Sequence, residues 1–414
     1  MKVVGIIAEY NPFHNGHKYQ IEELKKRTNA DYVVIAMSGN FLQRGVPALC
    51  DKYARTRMAL SCGADLVLEL PSVWATASAE YFAHGGVNLL KNTGVITHLG
   101  FGAETDNIDA LCTVSSMLKE EPFSYKEALA VQLKQGKPFP IARKEALLST
   151  ACELSASLLE ELLDTPNNIL ALEYLKALPE TITPVLVQRK GAGYHDSDIT
   201  STLPSATAIR DALFQHDTTI TPCNALSDAM PAEAYAVLQE YIKEKALMDC
   251  EDLSDILGYC LLSLEREGYA DFADSSQELS NKIANQLKNY SGFDSFCQAL
   301  KTKDLTYTRI SRLLLHILLN IKQENYNLGK DLGYSPYLRV LGFRKNSTPL
   351  LNAIKKEACA PLITKVADAA SILSPEAYSI FEKDLYASSI YNQVMAVRKH
   401  QAPANDFTRQ IVIL

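Results

Sequence analysis

A short run near the start of the chain gathers groups suited to holding an anion. Glu9-Tyr10-Asn11-Pro12-Phe13-His14-Asn15-Gly16-His17 sets two histidines three positions apart where a helix begins. Residues three apart on a helix share a face. A helix start presents unpaired N–H groups and the positive end of the macrodipole, so negative charge is favoured there. Neutral imidazoles donate to phosphate oxygens. Gly16 lets the backbone approach a ligand, and Asn11 and Pro12 shape the turn. Alone, the run reads more readily as His14 capping a helix with His17 on the surface, and only its place directly after the first strand, at the ligand edge of a parallel sheet, reverses that; Lys18 reads as solvated helix surface. A second run, Ser205-Ala206-Thr207-Ala208-Ile209-Arg210, places two hydroxyls and an arginine at another helix start. That set suits a second phosphate clamp, although Ser205 is also a plausible cap.

The elements that must position these runs alternate strand and helix. Buried, β-branched runs predict strands over Lys2–Ala8, Asp31–Met37, Asp65–Leu70, Ile96–Phe101 and Thr183–Gln188. Helices are expected over His14–Arg27, Asp51–Ser61, Thr76–Lys91 and Ser205–Phe214. Repeated βα units imply an α/β fold with a Rossmann-like parallel sheet. In such sheets a ligand lies beyond the carboxyl ends of the strands. That rule marks the loops Glu9–His17, Ser38–Gly45, Gly100–Thr105 and Arg189–His195. Asp51, Lys52 and Arg55, on the next helix, read as a solvated face. The turn-rich segment His216–Met230 separates an expected first domain, 1–218, from a mostly helical C-terminal domain, 225–414. Short strands are expected near Tyr337–Phe343 and Arg409–Leu414.

The net charge of −7 argues against a nonspecific nucleic-acid binder. The average hides a basic stretch: between Lys301 and Lys345, nine Lys/Arg stand against three Asp/Glu, a local +6. No apolar run approaches the ~18–20 residues that span a bilayer. Nine cysteines are scattered, with no spacing typical of metal ligands. Reduced thiols in a cytoplasm are therefore expected, and no metal site.

His14-Asn15-Gly16-His17 resembles the H-x-G-H signature of the nucleotidyltransferase superfamily. Ser205 to Arg210 resembles its S-x-T-x-I-R element. The match is closer to one family. GIIAEYNPFHNGHKYQIE, SGNFLQRG, LGFGAE, TPNNILALEYLKAL, RKGAGYHD, YTRISRLLLHILLN and YLRVLGF are similar to segments of the bacterial tRNA(Met) cytidine acetate ligases, from residue 1 to at least 345. The resemblance implies activation of acetate by ATP, with Mg²⁺, to acetyl-adenylate and pyrophosphate. The acetyl group then passes to N4 of the wobble cytidine of elongator tRNA(Met). It assigns His14 and His17 to the α- and β-phosphates. Around them, Ile7, Ala8, Glu9, Tyr10, Asn11, Pro12, Phe13, Asn15, Gly16 and Lys18 become candidate ATP-site residues. Gly102 is expected against the adenosine, Asn167 and Arg189 as further ATP contacts, and Ser205, Thr207 and Arg210 on phosphates. Asn167 could also cap the helix that follows it. The Ser38–Gly45 loop is a candidate lining for an acetate or cytidine pocket.

Lys301, Lys303, Arg309, Arg312 and Arg339, with Tyr307, Tyr337 and Phe343 interleaved, are the ingredients of phosphate contacts and base stacking on RNA. No KMSKS element is present, which separates the chain from aminoacyl-tRNA synthetases. Two rivals remain at this level: a small-molecule adenylyltransferase, and a non-catalytic RNA-binding protein on a nucleotide fold. The sequence sets neither the oligomeric state nor the tRNA identity elements.

Overall fold

The computed structural model of the chain describes residues 1–137, 139–150, 154–189, 205–215 and 224–414. Five strands form the parallel part of the sheet: β1 (Val3–Ala8), β2 (Tyr32–Ser38), β3 (Leu66–Leu70), β4 (His98–Ala103) and β5 (Thr183–Gln188). Their order is β5-β4-β1-β2-β3, so the winding direction reverses between β1 and β4. A crevice must open there, at the carboxyl ends of the strands.

The strand residues alternate between two cores. Val3, Val34, Ala36, Leu66 and Leu68 pack on one side with Trp74 and Phe82. Val4, Ile6, Val33, Ile35, Met37 and Val67 pack on the other with Ile21, Leu24 and Met58. Burial on both faces explains why these strands read as unbroken apolar runs.

The C-terminal half is mostly helical, and its strands continue the same sheet. β6 (Leu338–Phe343) runs antiparallel beside β3, with a register shift at Val67/Leu68. β7 (Leu362–Ile363) and β8 (Val412–Ile413) pair in parallel with β6. The helix Pro375–Lys399 lies against the N-terminal half, where Tyr391 Oη donates to the Ala48 carbonyl at 2.9 Å. The expected division between 218 and 225 falls largely on residues outside those described.

The helix Lys52–Ser61 corrects the reading of its first turn as solvated. Asp51, Lys52 and Arg55 are all buried. Lys52 Nζ reaches both Glu69 oxygens, Asp406 and Ser388 at 2.8–2.9 Å. Arg339 Nη1 meets Glu69 at 2.9 Å, and its Nη2 meets Asp406 at 2.7 Å. The cause is distant in sequence: β6 and the C-terminal tail cover this end of the sheet. A charge survives burial only when paired and hydrogen-bonded, and β3, β6 and the tail together supply the partners.

Candidate active site

A cleft of about 420 Å³ lies over the carboxyl ends of β1, β4 and β5. At its centre is the start of the helix Asn15–Thr28. His14 is the N-cap, and its Nδ1 accepts from Gly16 N at 3.1 Å. His17 Nδ1 accepts from His14 N at 3.2 Å, closing a reciprocal capping box. The two rings stack with centroids 3.7 Å apart. Because both Nδ1 atoms are acceptors, Nε2 carries the proton in each neutral ring, and each ring offers one donor. Burial pushes the His14 pKa down to about 3, helped by Arg189 and Arg210. Burial, His14 and Arg189 hold His17 well below its ordinary value. Both rings are therefore neutral near pH 7. His14 is a helix cap and a cleft residue at once. A Cβ on Gly16 would meet His14 Cε1 at 2.9 Å, so glycine there makes room for the ring.

The lining contains three arginines, Arg44, Arg189 and Arg210, and a single carboxylate, Glu9, among the described residues. Arg210 Nη1 donates to the Asn11 carbonyl at 2.8 Å, and its Nη2 donates to Thr207 Oγ1 at 3.0 Å. Ser205 Oγ caps its helix by accepting from Ala208 N at 3.1 Å. The two motifs, far apart in sequence, thus meet across one hydrogen bond. Arg55 ties the strand ends together by donating to the carbonyls of Glu9 (2.6 Å), Ser38 (3.1 Å) and Gly39. Glu9 accepts from Gln43 N at 2.7 Å, and burial raises its pKa against the opposing pull of Gln43, Arg44, Arg55 and Arg210.

Ile7, Ala8, Glu9, Tyr10, Asn11, His14, Gly16, His17, Gly102, Asn167, Arg189, Ser205, Thr207 and Arg210 all line this cleft. Four other candidates do not. Phe13 is buried beneath His17, with ring centroids 5.4 Å apart. Pro12, in a cis peptide bond with Asn11, is part of the turn and not of the lining. Asn15 Nδ2 donates to the Asp228 carbonyl at 2.6 Å. Lys18 pairs with Glu233 at 3.4 Å. At Gly102 a Cβ would meet Arg189 Cγ at 3.5 Å, an ordinary contact, so the protein alone does not demand glycine there. The free space belongs to the cleft. Asn167 does not cap its helix. Thr165 is the N-cap, and the carboxylate of Glu104 accepts from Asn168 N at 2.9 Å and Asn167 Nδ2 at 2.6 Å.

Gln20, Phe82 and Tyr174 line the cleft without having been singled out, and Leu42, Gln43 and Arg44 bring the Ser38–Gly45 loop to it. Gln20 follows His17 by one helical turn, a signal available in the sequence. Phe82 and Tyr174 sit in helices whose apolar pattern reads only as core.

The basic stretch splits. Lys301, Lys303 and Arg309 are exposed beside or on the helix Tyr307–Leu318. Arg312 pairs with Asp274 at 3.1 Å. Arg339 does not reach the surface: it is 2% exposed, within the buried ion network. Tyr337 is likewise buried and donates to Asp384 at 2.6 Å. The loop after β2 is seated on the basic helix, where Ser311 Oγ donates to the Gly45 carbonyl at 2.8 Å. Gly45 has φ +77°, and a Cβ on it would run into the backbone of Ser311 and Arg312. This contact ties Arg44 to the basic helix.

Among the described residues no group of three or more His, Cys, Asp or Glu is gathered to hold a metal ion. No helix there is long and apolar enough to cross a membrane.

A family model described as HIGH Nucleotidyl Transferase matches residues 1–406. The chain is 36% identical over 425 residues to a tRNA(Met) cytidine acetate ligase of Halothermothrix orenii, covering 100% of this chain and 99% of that one. It is 38% identical over 401 residues to one from Clostridium perfringens, covering 95% of each. A crystal structure of Thermotoga maritima TmcAL without ligand superposes with a TM-score of 0.93 at 30% identity, over 100% of both chains. A second, bound with alpha-thio ATP, gives 0.91 at 29% identity, again over 100% of both.

Proposed function

The chain belongs to the HIGH nucleotidyltransferase family and, within it, to the tRNA(Met) cytidine acetate ligases; from this premise we propose that it condenses acetate with ATP and acetylates N4 of the wobble cytidine of elongator tRNA(Met). The observation that carries the catalytic reading is the pair of neutral, stacked histidines at a helix N-terminus, facing a cleft whose described lining holds three arginines and one carboxylate. This lining has an excess of donors and positive charge.

In the first step an acetate oxygen attacks the α-phosphorus of ATP. The bond from that phosphorus to the bridging oxygen breaks, and pyrophosphate leaves. Negative charge grows on the phosphoryl oxygens and the leaving group, so positioning and electrostatic stabilisation dominate. The Nε2–H donors of His14 and His17, with the helix N-terminus, stabilise that charge without a proton having to move. Arg210, Arg189 and Arg44 balance the polyphosphate. In the second step N4 of the cytidine attacks the acetyl carbon, the carbon–oxygen bond to AMP breaks, and one N4 proton is lost to solvent.

Mg²⁺ is assigned to the triphosphate, since this ion commonly keeps waters and rides on substrate phosphates. The first 218 residues carry the adenylation chemistry, and the basic helix after Thr306 and the segment leading into it supply tRNA contacts through Arg309, Lys301 and Lys303. A cytoplasmic location fits the substrates.

The test is ATP–[³²P]pyrophosphate exchange by purified protein, with and without acetate, before RNA is added. Acetate-dependent exchange is expected. No exchange in either condition, even with tRNA present, would remove the reading.

A further inference from the structure

A second cavity, of about 220 Å³, adjoins the cleft and shares Asn11, Arg44, Val46 and Arg210 with it. The adenylation step uses none of its remaining lining. That lining includes Pro47 and Met248 as apolar wall, with Phe214 and Tyr307 as aromatic surfaces and Asp211 and Asp249 as carboxylates. We propose that this cavity receives the acceptor base: an unpaired cytosine enters from RNA lying on the Tyr307–Leu318 helix and presents its amine to the carboxylates beside Arg210, at the border with the cleft.

Three observations carry this. The first is position. The cavity and the cleft meet at Arg44 and Arg210, so a base in one lies next to the phosphate-binding arginines of the other. The second is wall chemistry. Phe214 is 44% exposed although it is a large aromatic residue. An exposed aromatic at a cavity mouth is a stacking platform for an unpaired base. The carboxylates Asp211 and Asp249 lie close enough to Arg210 to act on its guanidinium. Cytosine presents the N4 amine as a donor, and a carboxylate accepts from it. Uracil presents a carbonyl oxygen in the same place, which a carboxylate repels. The third is access. Tyr307 and Thr308, in the first turn of the basic helix, form one rim, and the next residue is the exposed Arg309. A backbone held by Arg309, Lys301 and Lys303 can deliver one splayed base without opening a duplex.

The proposal rests on the reading of the chain as a cytidine acetate ligase, and its test separates the two. The full-length protein is irradiated with an RNA hairpin carrying 5-iodocytidine at the acceptor position, and the adduct is mapped. Adducts at Phe214, Tyr307 or Thr308 are expected, whereas adducts confined to other parts of the protein overturn the assignment. In parallel, Phe214→Ala is measured for acetyl transfer and for acetate-dependent pyrophosphate exchange on one preparation. Loss of a stacking platform should lower the ratio of transfer to exchange roughly 5- to 150-fold, and Phe214→Trp should restore it. An unchanged ratio, with both rates intact or both reduced, overturns the proposal. Asp211→Asn should narrow the preference for a cytidine over a uridine hairpin in competition, and an unaltered preference counts against amine-first entry. If wild type shows no exchange at all, the ligase reading fails, while the adduct map still reports what the cavity holds.

Discussion

The molecule concentrates charge at two places on one sheet, and it treats them in opposite ways. Beside β3 and β6, Lys52 and Arg339 face Glu69 and Asp406, and each cation touches both carboxylates. Over β1, β4 and β5, the described lining of the cleft carries three arginines and one carboxylate, with Glu104 acting on Arg189 and Asp211 and Asp249 on Arg210 from outside it, and two histidines are kept neutral. The matched set is complete within the protein and holds the C-terminal tail to the sheet. The unmatched lining keeps more cations than carboxylates among the described residues, the balance that suits an anionic ligand. Excess donors and cations, held in place by Arg55, Asn11 and the capping box, identify the cleft as the place where a polyanion is expected.

The largest effect should come from breaking the matched set. Lys52→Met leaves Glu69 and Asp406 buried with Arg339 as their one remaining cation in the network, and removing one partner of a buried pair costs about 3–5 kcal/mol. Urea unfolding of the variant should show that loss, and an unchanged midpoint would mean the network is not what holds the tail. Next is the unmatched set. His14→Ala should slow acetate-dependent exchange about 10²–10³-fold, the scale for loss of one positioned donor. It also removes a cap, at about 1 kcal/mol of stability, so urea unfolding and exchange together separate the two roles of this side chain.

The two regions should also respond to acid over different ranges. The unfolded chain protonates His14 near its ordinary value of 6.5, whereas the native chain does so only at about 3. Between these values the unfolded state holds more protons, so stability falls as pH drops through the window. Asp406 is held below the usual carboxylate range, chiefly by Lys52 and Arg339 acting against the cost of burial. Its contribution is present above the ordinary carboxylate value and is lost as pH falls below it. The urea midpoint of wild type should fall relative to that of His14→Asn throughout the descent from about pH 6.5 to 3. Added ATP should weaken the acid sensitivity, because phosphates favour the protonated imidazole. The smallest effect is expected on the exposed surface. Arg309→Ala should reduce the slope of log affinity for tRNA against log salt by about one, as read by filter binding at several salt concentrations.

The sequence carried the local parts of the design. Both motifs, the five parallel strands to within two residues, and Ser205 as a cap all follow from hydrogen-bonding chemistry and periodicity over a few residues. Gln20 was within reach on the same grounds. Other features had no local signal. Asp51, Lys52 and Arg55 have the composition of a solvated helix face, and only partners from other segments make them core: Lys245 and Tyr241 for Asp51, β3 and the C-terminal tail for Lys52, and the ends of β1 and β2 for Arg55. Arg339 has the composition of an RNA contact, yet pairs with Glu69 and Asp406 inside the protein. Conversely, Phe214 becomes interesting only because the loop after β2, already a candidate lining in the sequence, and the helix Ala206–Gln215 converge near the start of the basic helix.

By itself the sequence determined which segments are strands and helices, and that a polyanion is handled where the first strand ends. Those properties depend on neighbours one turn or one pleat away. The tertiary structure alone decided which charges are matched and which face a ligand. A side chain's burial and its partners come from segments brought together by the sheet, and charge pairing at 3 Å leaves no periodic trace in the chain.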